Sequence, residues 1–192
     1  MERGLVEERI QEMMRDSGAL LEGHFLLTSG LHSANYMQCA LLLRFPAYAA
    51  FAGKEIARLV EKFQPTVVIS PAIGGLIIGH EVARALDVPF LFCEREEGKM
   101  SLRRFPFPEK AKVVVVEDVI TTGGSVKEVG ELMEEHGSQW VATACIVDRS
   151  GGKHILPHEP LSLWNVSFPV YRPDECPMCA KEIPFKKPGS RK

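Results

Sequence analysis

Glu117, Asp118, Thr121, Thr122 and Ser125 are the side chains with the clearest chemical content, and they fall within a few positions of one another. Four valines, residues 113–116, read as a buried strand ending in the two adjacent carboxylates Glu117 and Asp118. Val119, Ile120, Thr121, Thr122, Gly123, Gly124 and Ser125 then lead through hydroxyls and glycines into a helix. Small residues let successive backbone N–H groups converge on one anion, the hydroxyls donate further bonds, and the helix amino terminus adds partial positive charge. A phosphate group fits that cradle. Ser125-Val126-Lys127-Glu128 also matches a capping box, an alternative reading of the helix start that does not call for the carboxylates. Carboxylates beside a bound phosphate repel it unless they meet hydroxyls or a cation, which points to a ribose phosphate with vicinal hydroxyls and Mg²⁺ nearby. No G-x-x-x-x-G-K-[ST] occurs, and Gly74, Gly75 and Gly79 do not spell G-x-G-x-x-G, so the triphosphatase and dinucleotide readings fall away.

Such a loop works only where a sheet presents it. Leu5, Ile10, Met13 and Met14 predict a helix over 3–16, closed by Gly18, followed by a strand-like segment, 24–30. Pro46 opens a second helix, 47–63, which Pro65 stops. From there apolar runs at 67–69, 90–92, 113–116 and 141–147 alternate with helical stretches from Gly74-Gly75 through Leu86 and over 125–136. That alternation predicts an α/β fold with a parallel sheet covered on both faces. In such sheets ligands bind at the carboxyl ends of the strands, where the 117–125 segment must lie. A further strand is expected over 161–168, within an irregular, Pro-rich stretch from Gly151, and residues 186–192 read as a solvated basic tail.

The chain has 192 residues, 45% hydrophobic and 25% charged, enough for an ordinary core and against disorder. A formal charge of −2 removes the basic signature of a nucleic-acid or membrane-surface binder, and neither partner is expected. No apolar run can span a bilayer, and the charged amino terminus lacks a signal-peptide core, so a cytoplasmic protein is expected. The Asn165-Val166-Ser167 sequon is then a chance match. Five cysteines, at 39, 93, 145, 176 and 179, form no disulfide framework, and Cys93 and Cys145 read as core residues. Cys176-Pro177-Met178-Cys179 is a lone C-x-x-C, half a zinc site, and is read as a local loop. His154 and His158 are kept off a common helix face by Pro157 and Pro160, while His80 and His136 read as packing or surface residues.

Residues 113–125 resemble the phosphoribosyl pyrophosphate (PRPP) signature of type I phosphoribosyltransferases, and 116–125 is most similar to its orotate phosphoribosyltransferase version. Residues 25–33 are similar to that group's amino-terminal orotate-side motif, 70–75 to its pyrophosphate loop, and Val147-Asp148-Arg149 to the strand end supplying an orotate-binding arginine. The resemblance implies transfer of phosphoribose from PRPP to orotate, giving orotidine 5′-monophosphate and pyrophosphate, in pyrimidine biosynthesis. It implies one phosphoribosyltransferase domain over 1–192, with a core at about 47–150 and a hood from 1–46 and part of 151–192.

By that resemblance, residues 117–125 bind PRPP, Glu117 and Asp118 hold the ribose hydroxyls, Thr121 to Ser125 cradle the 5′-phosphate, and Thr121 and Arg149 contact orotate. Mg²⁺ comes with PRPP, with no direct protein ligand. Arg149 could instead form a surface ion pair with Asp148 or Glu159. The charged interval 94–104 resembles the family's mobile catalytic loop, with Arg95 and Lys99 at its basic positions, binding PRPP and acting in catalysis together with Asp118. In the family homodimer this loop reaches the neighbouring subunit; a solvated charged hairpin is the plainer reading. Glu96 and Ser101 stand where relatives carry a basic residue and a histidine, Arg103 and Arg104 being candidate substitutes. Thr28 and Gly74 stand where lysines are common. A purine or xanthine phosphoribosyltransferase and a PRPP-sensing regulator are the competing readings; the first leaves Arg149 without a carboxylate to bind.

Overall fold

The computed structural model describes residues 2–27 and 29–187, so Thr28 and the last five residues of the basic tail lie outside the described residues. In chain order the elements are α1 (Arg3–Asp16), β1 (Leu20–Leu26), β2 (His32–Met37), α2 (Cys39–Leu43), α3 (Pro46–Val60), β3 (Val67–Pro71) and α4 (Gly75–Leu86). They continue with β4 (Phe90–Glu96), β5 (Lys99–Ser101), β6 (Lys112–Ile120), α5 (Gly124–Glu135), β7 (Gln139–Asp148), β8 (Leu161–Asn165) and β9 (Val170–Tyr171).

Period-two alternation along β6 explains the layering. Val114 and Val116 face one side of the sheet with Val68, Ala142 and Ala144, packing on Ile10 of α1, Ile56 of α3, and Ile78 and Val82 of α4. Val113 and Val115 face the other with Val67 and Ile69, against Val126, Val129 and Met133 of α5. Val113 to Val116 of β6 are all fully buried, each contributing about 1.5–3 kcal/mol of transfer free energy. The six-stranded sheet runs β5-β4-β3-β6-β7-β8; its strands are parallel except β5, which pairs antiparallel to β4. The α/β class with a parallel sheet covered on both faces is therefore observed.

A second sheet, antiparallel, joins β1, β2 and β9. It unites the amino-terminal segment with the carboxy-terminal stretch, and the chain beyond it returns to β1 through Lys186, whose N–H donates to the His24 carbonyl at 2.8 Å.

Several boundaries depart from the sequence reading. Strand β6 runs on to Ile120, so Glu117 and Asp118 lie inside it, where Glu117 pairs with Cys145 of β7. The 47–63 helix stops at Val60 and closes in a 3₁₀ turn, Glu61–Phe63. The 24–30 segment is part of a hairpin whose second strand, β2, was not anticipated, nor was α2. The predicted 161–168 strand ends at Asn165. The charged interval is ordered as the hairpin β4–β5, turning at Glu97 and Gly98, both at positive φ.

Candidate active site

Strand order reverses between β3 and β6. From β3 the chain crosses to β4 on one side, while β6, on its other flank, leads on to β7. The loops leaving the carboxyl ends of these two strands therefore diverge and open a crevice. One is the stretch after β3 through Gly74, in which the Ala72–Ile73 peptide is cis. The other is residues 121–123, between β6 and α5. The first lies directly against the carboxylates of β6: a Cβ built on Gly74 would sit 2.8 Å from Asp118 Oδ1 and 3.1 Å from Glu117 Oε1. A side chain at position 74 would push the carboxylate ends aside, so glycine there lets the loop approach them closely.

Glu117 and Asp118 are partly withdrawn from water; Glu117 Oε1 accepts from the N–H of Asp118 at 3.1 Å, and Asp118 Oδ1 from that of Val119 at 2.8 Å. Desolvation raises the pKa of both above the ordinary carboxylate range, and the adjacent Asp118 charge raises Glu117 further. Two such groups side by side favour whatever brings them donors or positive charge: sugar hydroxyls, or a cation held by the ligand.

Beyond them, Gly123 is the N-cap of α5, at φ 82°, with no side-chain cap. This overturns the capping-box reading: Ser125 lies inside the helix, and Glu128 turns outward to Arg95. An L-residue at 123 would be strained by that φ and would place its Cβ 2.8 Å from Leu156. The uncapped first turn opens into a cleft of about 270 Å³ lined by Glu117, Val119, Ile120 and residues 121–126, with Glu128 at its edge. Thr121 and Thr122 are exposed to it. All nine predicted residues from Glu117 to Ser125 come together here except that Asp118 does not line the cleft itself and faces Gly74.

Arg149 follows β7 directly, its N–H donating to the Ile120 carbonyl at 2.8 Å, which fixes it beside the end of β6. Its guanidinium lies over Phe168, 5.3 Å from the ring centroid, and burial pulls its pKa down. Neither predicted surface partner engages it: the Asp148 carboxylate accepts the Ser150 N–H at 2.8 Å, and Glu159 lies 3.1 Å from His154. Its Nε is buried without a hydrogen-bond partner among the described residues. A half-buried guanidinium with no carboxylate is costly to keep unless a ligand supplies one. Phe168, which carries the guanidinium, is a neighbour that the sequence reading missed. It lies 19 positions from residue 149 and carries no motif.

The β4–β5 hairpin leans over α5. Arg95 pairs with Glu128 at 2.9 Å, at the edge of the cleft, and donates to the Gly98 carbonyl. Arg103 and Arg104, considered as substitute cations, are engaged by Glu96 (3.4 Å) and Glu94 (2.6 Å) of the same hairpin. Lys99 is exposed and has no ion pair among the described residues. Of the hairpin's cations it is therefore the one available to a ligand without first breaking a bridge.

His136 stacks on Phe107 and His80 is exposed, packing its edge on Phe90, in line with their reading as packing or surface residues. Cys93 and Cys145 are fully buried in the core.

Comparison with known proteins agrees with this geometry. Residues 42–155 match the phosphoribosyl transferase domain family. The chain is 51% identical over 185 residues to an orotate phosphoribosyltransferase of Thermotoga maritima, covering 95% of this chain and 98% of that protein. It is 50% identical over 187 residues to one of Caldicellulosiruptor saccharolyticus, covering 97% and 98%. Among solved structures, the orotate phosphoribosyltransferase from Aeropyrum pernix superimposes with a TM-score of 0.70 at 26% identity, over 82% of this chain and 93% of that one. The adenine phosphoribosyltransferase from Thermoanaerobacter pseudethanolicus, at 16% identity and a TM-score of 0.60, shares the fold. The chain belongs to the phosphoribosyltransferase family and, within it, to the orotate phosphoribosyltransferases.

Proposed function

We propose that the cleft after β6 binds PRPP and that Arg149 holds the acceptor, orotate, so that the chain transfers phosphoribose to the orotate ring nitrogen and releases pyrophosphate, a step of pyrimidine biosynthesis. In this reading the backbone N–H groups and hydroxyls of residues 121–125 hold the 5′-phosphate at the amino terminus of α5. Glu117 and Asp118 take the ribose hydroxyls and fix the anomeric carbon relative to the acceptor. Arg149 grips the orotate carboxylate with its fork of donors, and Thr121 adds a contact at the shared edge.

The buried, charge-poor surroundings of Glu117 and Asp118 suit a cation that enters with the substrate: Mg²⁺ carried by PRPP would neutralise diphosphate charge, with these carboxylates beside it and no dedicated protein cage. Lys99 comes down on the departing pyrophosphate, joined by Arg95 once its bridge to Glu128 opens, and both stabilise charge that grows as the glycosidic bond breaks. Water is excluded when the hairpin closes. We further infer that the protein works as a homodimer in the cytoplasm, with the hairpin also able to reach the neighbouring subunit.

The observation that carries the reading is the half-buried Arg149, unpaired with any described carboxylate, beside an uncapped helix terminus. A purine acceptor offers Arg149 no carboxylate to bind. Incubating the protein with PRPP, Mg²⁺ and orotate, adenine, guanine or xanthine in turn, and following loss of each base, tests it. Orotate alone is expected to be consumed; consumption of a purine in its place refutes the assignment.

A further inference from the structure

Away from the cleft, four side chains with metal-binding atoms meet where the two ends of the chain are joined. His24 lies in β1, His32 opens β2, and Cys176 and Cys179 flank the turn that follows the 3₁₀ segment Pro173–Glu175. Their ligand atoms all lie within 4.8 Å of one another. His24, His32 and Cys176 are 3%, 4% and 2% exposed, so the cluster is withdrawn from solvent, and Phe185 packs against both imidazoles at 5.8 and 5.4 Å between centroids.

We propose that His24, His32, Cys176 and Cys179 form a structural Zn²⁺ site that ties the amino-terminal hairpin to the carboxy-terminal turn. Two thiolates and two imidazoles in a closed shell are the tetrahedral donor set that suits zinc. With Zn–S near 2.3 Å and Zn–N near 2.05 Å, tetrahedral geometry places nitrogen and sulfur about 3.5 Å apart and the two nitrogens about 3.3 Å apart. The observed separations are 3.6 and 3.8 Å from His24 Nε2 to the two sulfurs, and 3.3 Å from Cys179 Sγ to His32 Nδ1. To admit the ion, the imidazole pair, with Nε2 of His24 2.6 Å from Nδ1 of His32, must open by about 0.7 Å, and the widest separation among the four ligand atoms, 4.8 Å, must close by about 1 Å.

The tautomer of His24 is already set for ligation. Nδ1 of His24 lies 2.6 Å from the Ile183 carbonyl oxygen, which can only accept, so Nδ1 carries the proton and Nε2 presents a lone pair to the cluster. A carbonyl behind a ligating imidazole is the usual supporting contact at zinc sites. The cysteine turn is held in the same way: the Ala180 N–H donates to the Cys176 carbonyl at 3.1 Å, Glu182 N–H to that of Cys179 at 2.9 Å, and Ile183 N–H to that of Met178 at 3.0 Å.

The need for such a site follows from the small sheet it joins. Strand β1 buries only His24 and Phe25, and β9 is two residues long. Three short strands with so little apolar burial gain their cohesion from a bound metal in many small folds. The C-x-x-C read from the sequence as a local loop thus has its missing half in His24 and His32, separated from Cys176 and Cys179 by more than 140 positions.

The test does not depend on the transferase assay. The whole protein, unfolded with a chelator and refolded under reducing conditions with Zn²⁺ or with Co²⁺ alone, is analysed for bound metal and by absorption spectroscopy. One equivalent per chain is expected, the Co²⁺ form showing intense tetrahedral d–d bands and thiolate-to-metal charge transfer, and chelation lowering the unfolding midpoint. Cys176→Ser and Cys179→Ser should each lose the charge-transfer intensity and most of the bound metal. Should either variant fail to fold, the wild-type Co²⁺ spectrum decides alone. Absence of stoichiometric uptake by the wild type, a weak octahedral spectrum, or a Cys176→Ser/Cys179→Ser double variant that retains its metal would each overturn the proposal.

Discussion

Replacing Arg149 by Ala separates a binding role from a structural one, because the first predicts little change in stability and the second a large loss. As a binding residue, Arg149 makes two charge-assisted hydrogen bonds to the orotate carboxylate, each worth roughly 1.5–3 kcal/mol. Allowing for water that replaces part of this, the loss is about 3 kcal/mol, a rise of about a hundredfold in the KM for orotate. PRPP binds through residues 117–125, so its KM should change severalfold at most. Among the described residues the guanidinium has no carboxylate partner, and its buried Nε has no hydrogen-bond acceptor. Its removal relieves desolvation and sacrifices the contact with Phe168, worth about 0.5–1 kcal/mol, so unfolding free energy should shift by no more than about 1 kcal/mol. Arg149→Lys keeps the charge without the fork and should recover only part of the affinity. Steady-state kinetics with each substrate varied at saturating levels of the other, alongside urea denaturation, reads both quantities. An unchanged orotate KM, or a loss of several kcal/mol of stability with both KM values unmoved, would refute the reasoning.

Lys99→Ala should lower kcat by about a hundredfold or more, with little effect on stability, since the side chain is exposed and makes no described ion pair; an unchanged turnover in a steady-state assay removes its role. For the Glu117 and Asp118 pair, the folded-state pKa values are raised, so the folded form holds protons more tightly than the unfolded chain. Their contribution to stability is fully present below the ordinary carboxylate pKa and is lost as pH rises toward the raised values. Chemical denaturation of the free enzyme across that window should show this decline, and Glu117→Gln should flatten it; a variant with the wild-type slope contradicts the pair's burial. Gly123→Ala should destabilise the protein by about 1 kcal/mol or more through the left-handed φ, and raise the KM for PRPP by disturbing the first turn of α5, effects that denaturation and kinetics measure together.

How much of this was readable from the chain depends on the range of the interactions concerned. The valines of β6, the glycines and hydroxyls after them and the amphipathic faces of α1, α3 and α4 are local patterns, and they located both the sheet and the cleft. Strand β6 was read too short because carboxylates are poor strand formers. Its last residues hold strand conformation by pairing with β7, through Glu117↔Cys145 and Val119↔Val147, whereas pairing with β3 ends at Val115. A charged hairpin was the plainer reading of the 94–104 interval, but its place was not legible: Glu97-Gly98 is not one of the strong hairpin dipeptides, and the bridge that draws it over α5 joins Arg95 to Glu128, 33 positions away. Nothing in the sequence distinguished an unpaired Arg149 from one bridged to Asp148 or Glu159; that depended on where those two carboxylates found other partners.

The most direct test of the central claim is a structure of the protein with orotidine 5′-monophosphate bound. The phosphate is expected on the backbone N–H groups of residues 121–125, the ribose hydroxyls on Glu117 and Asp118, and the orotate carboxylate on the guanidinium of Arg149. A nucleotide whose phosphate lies away from the α5 amino terminus, or whose carboxylate leaves Arg149 unbound, would contradict it.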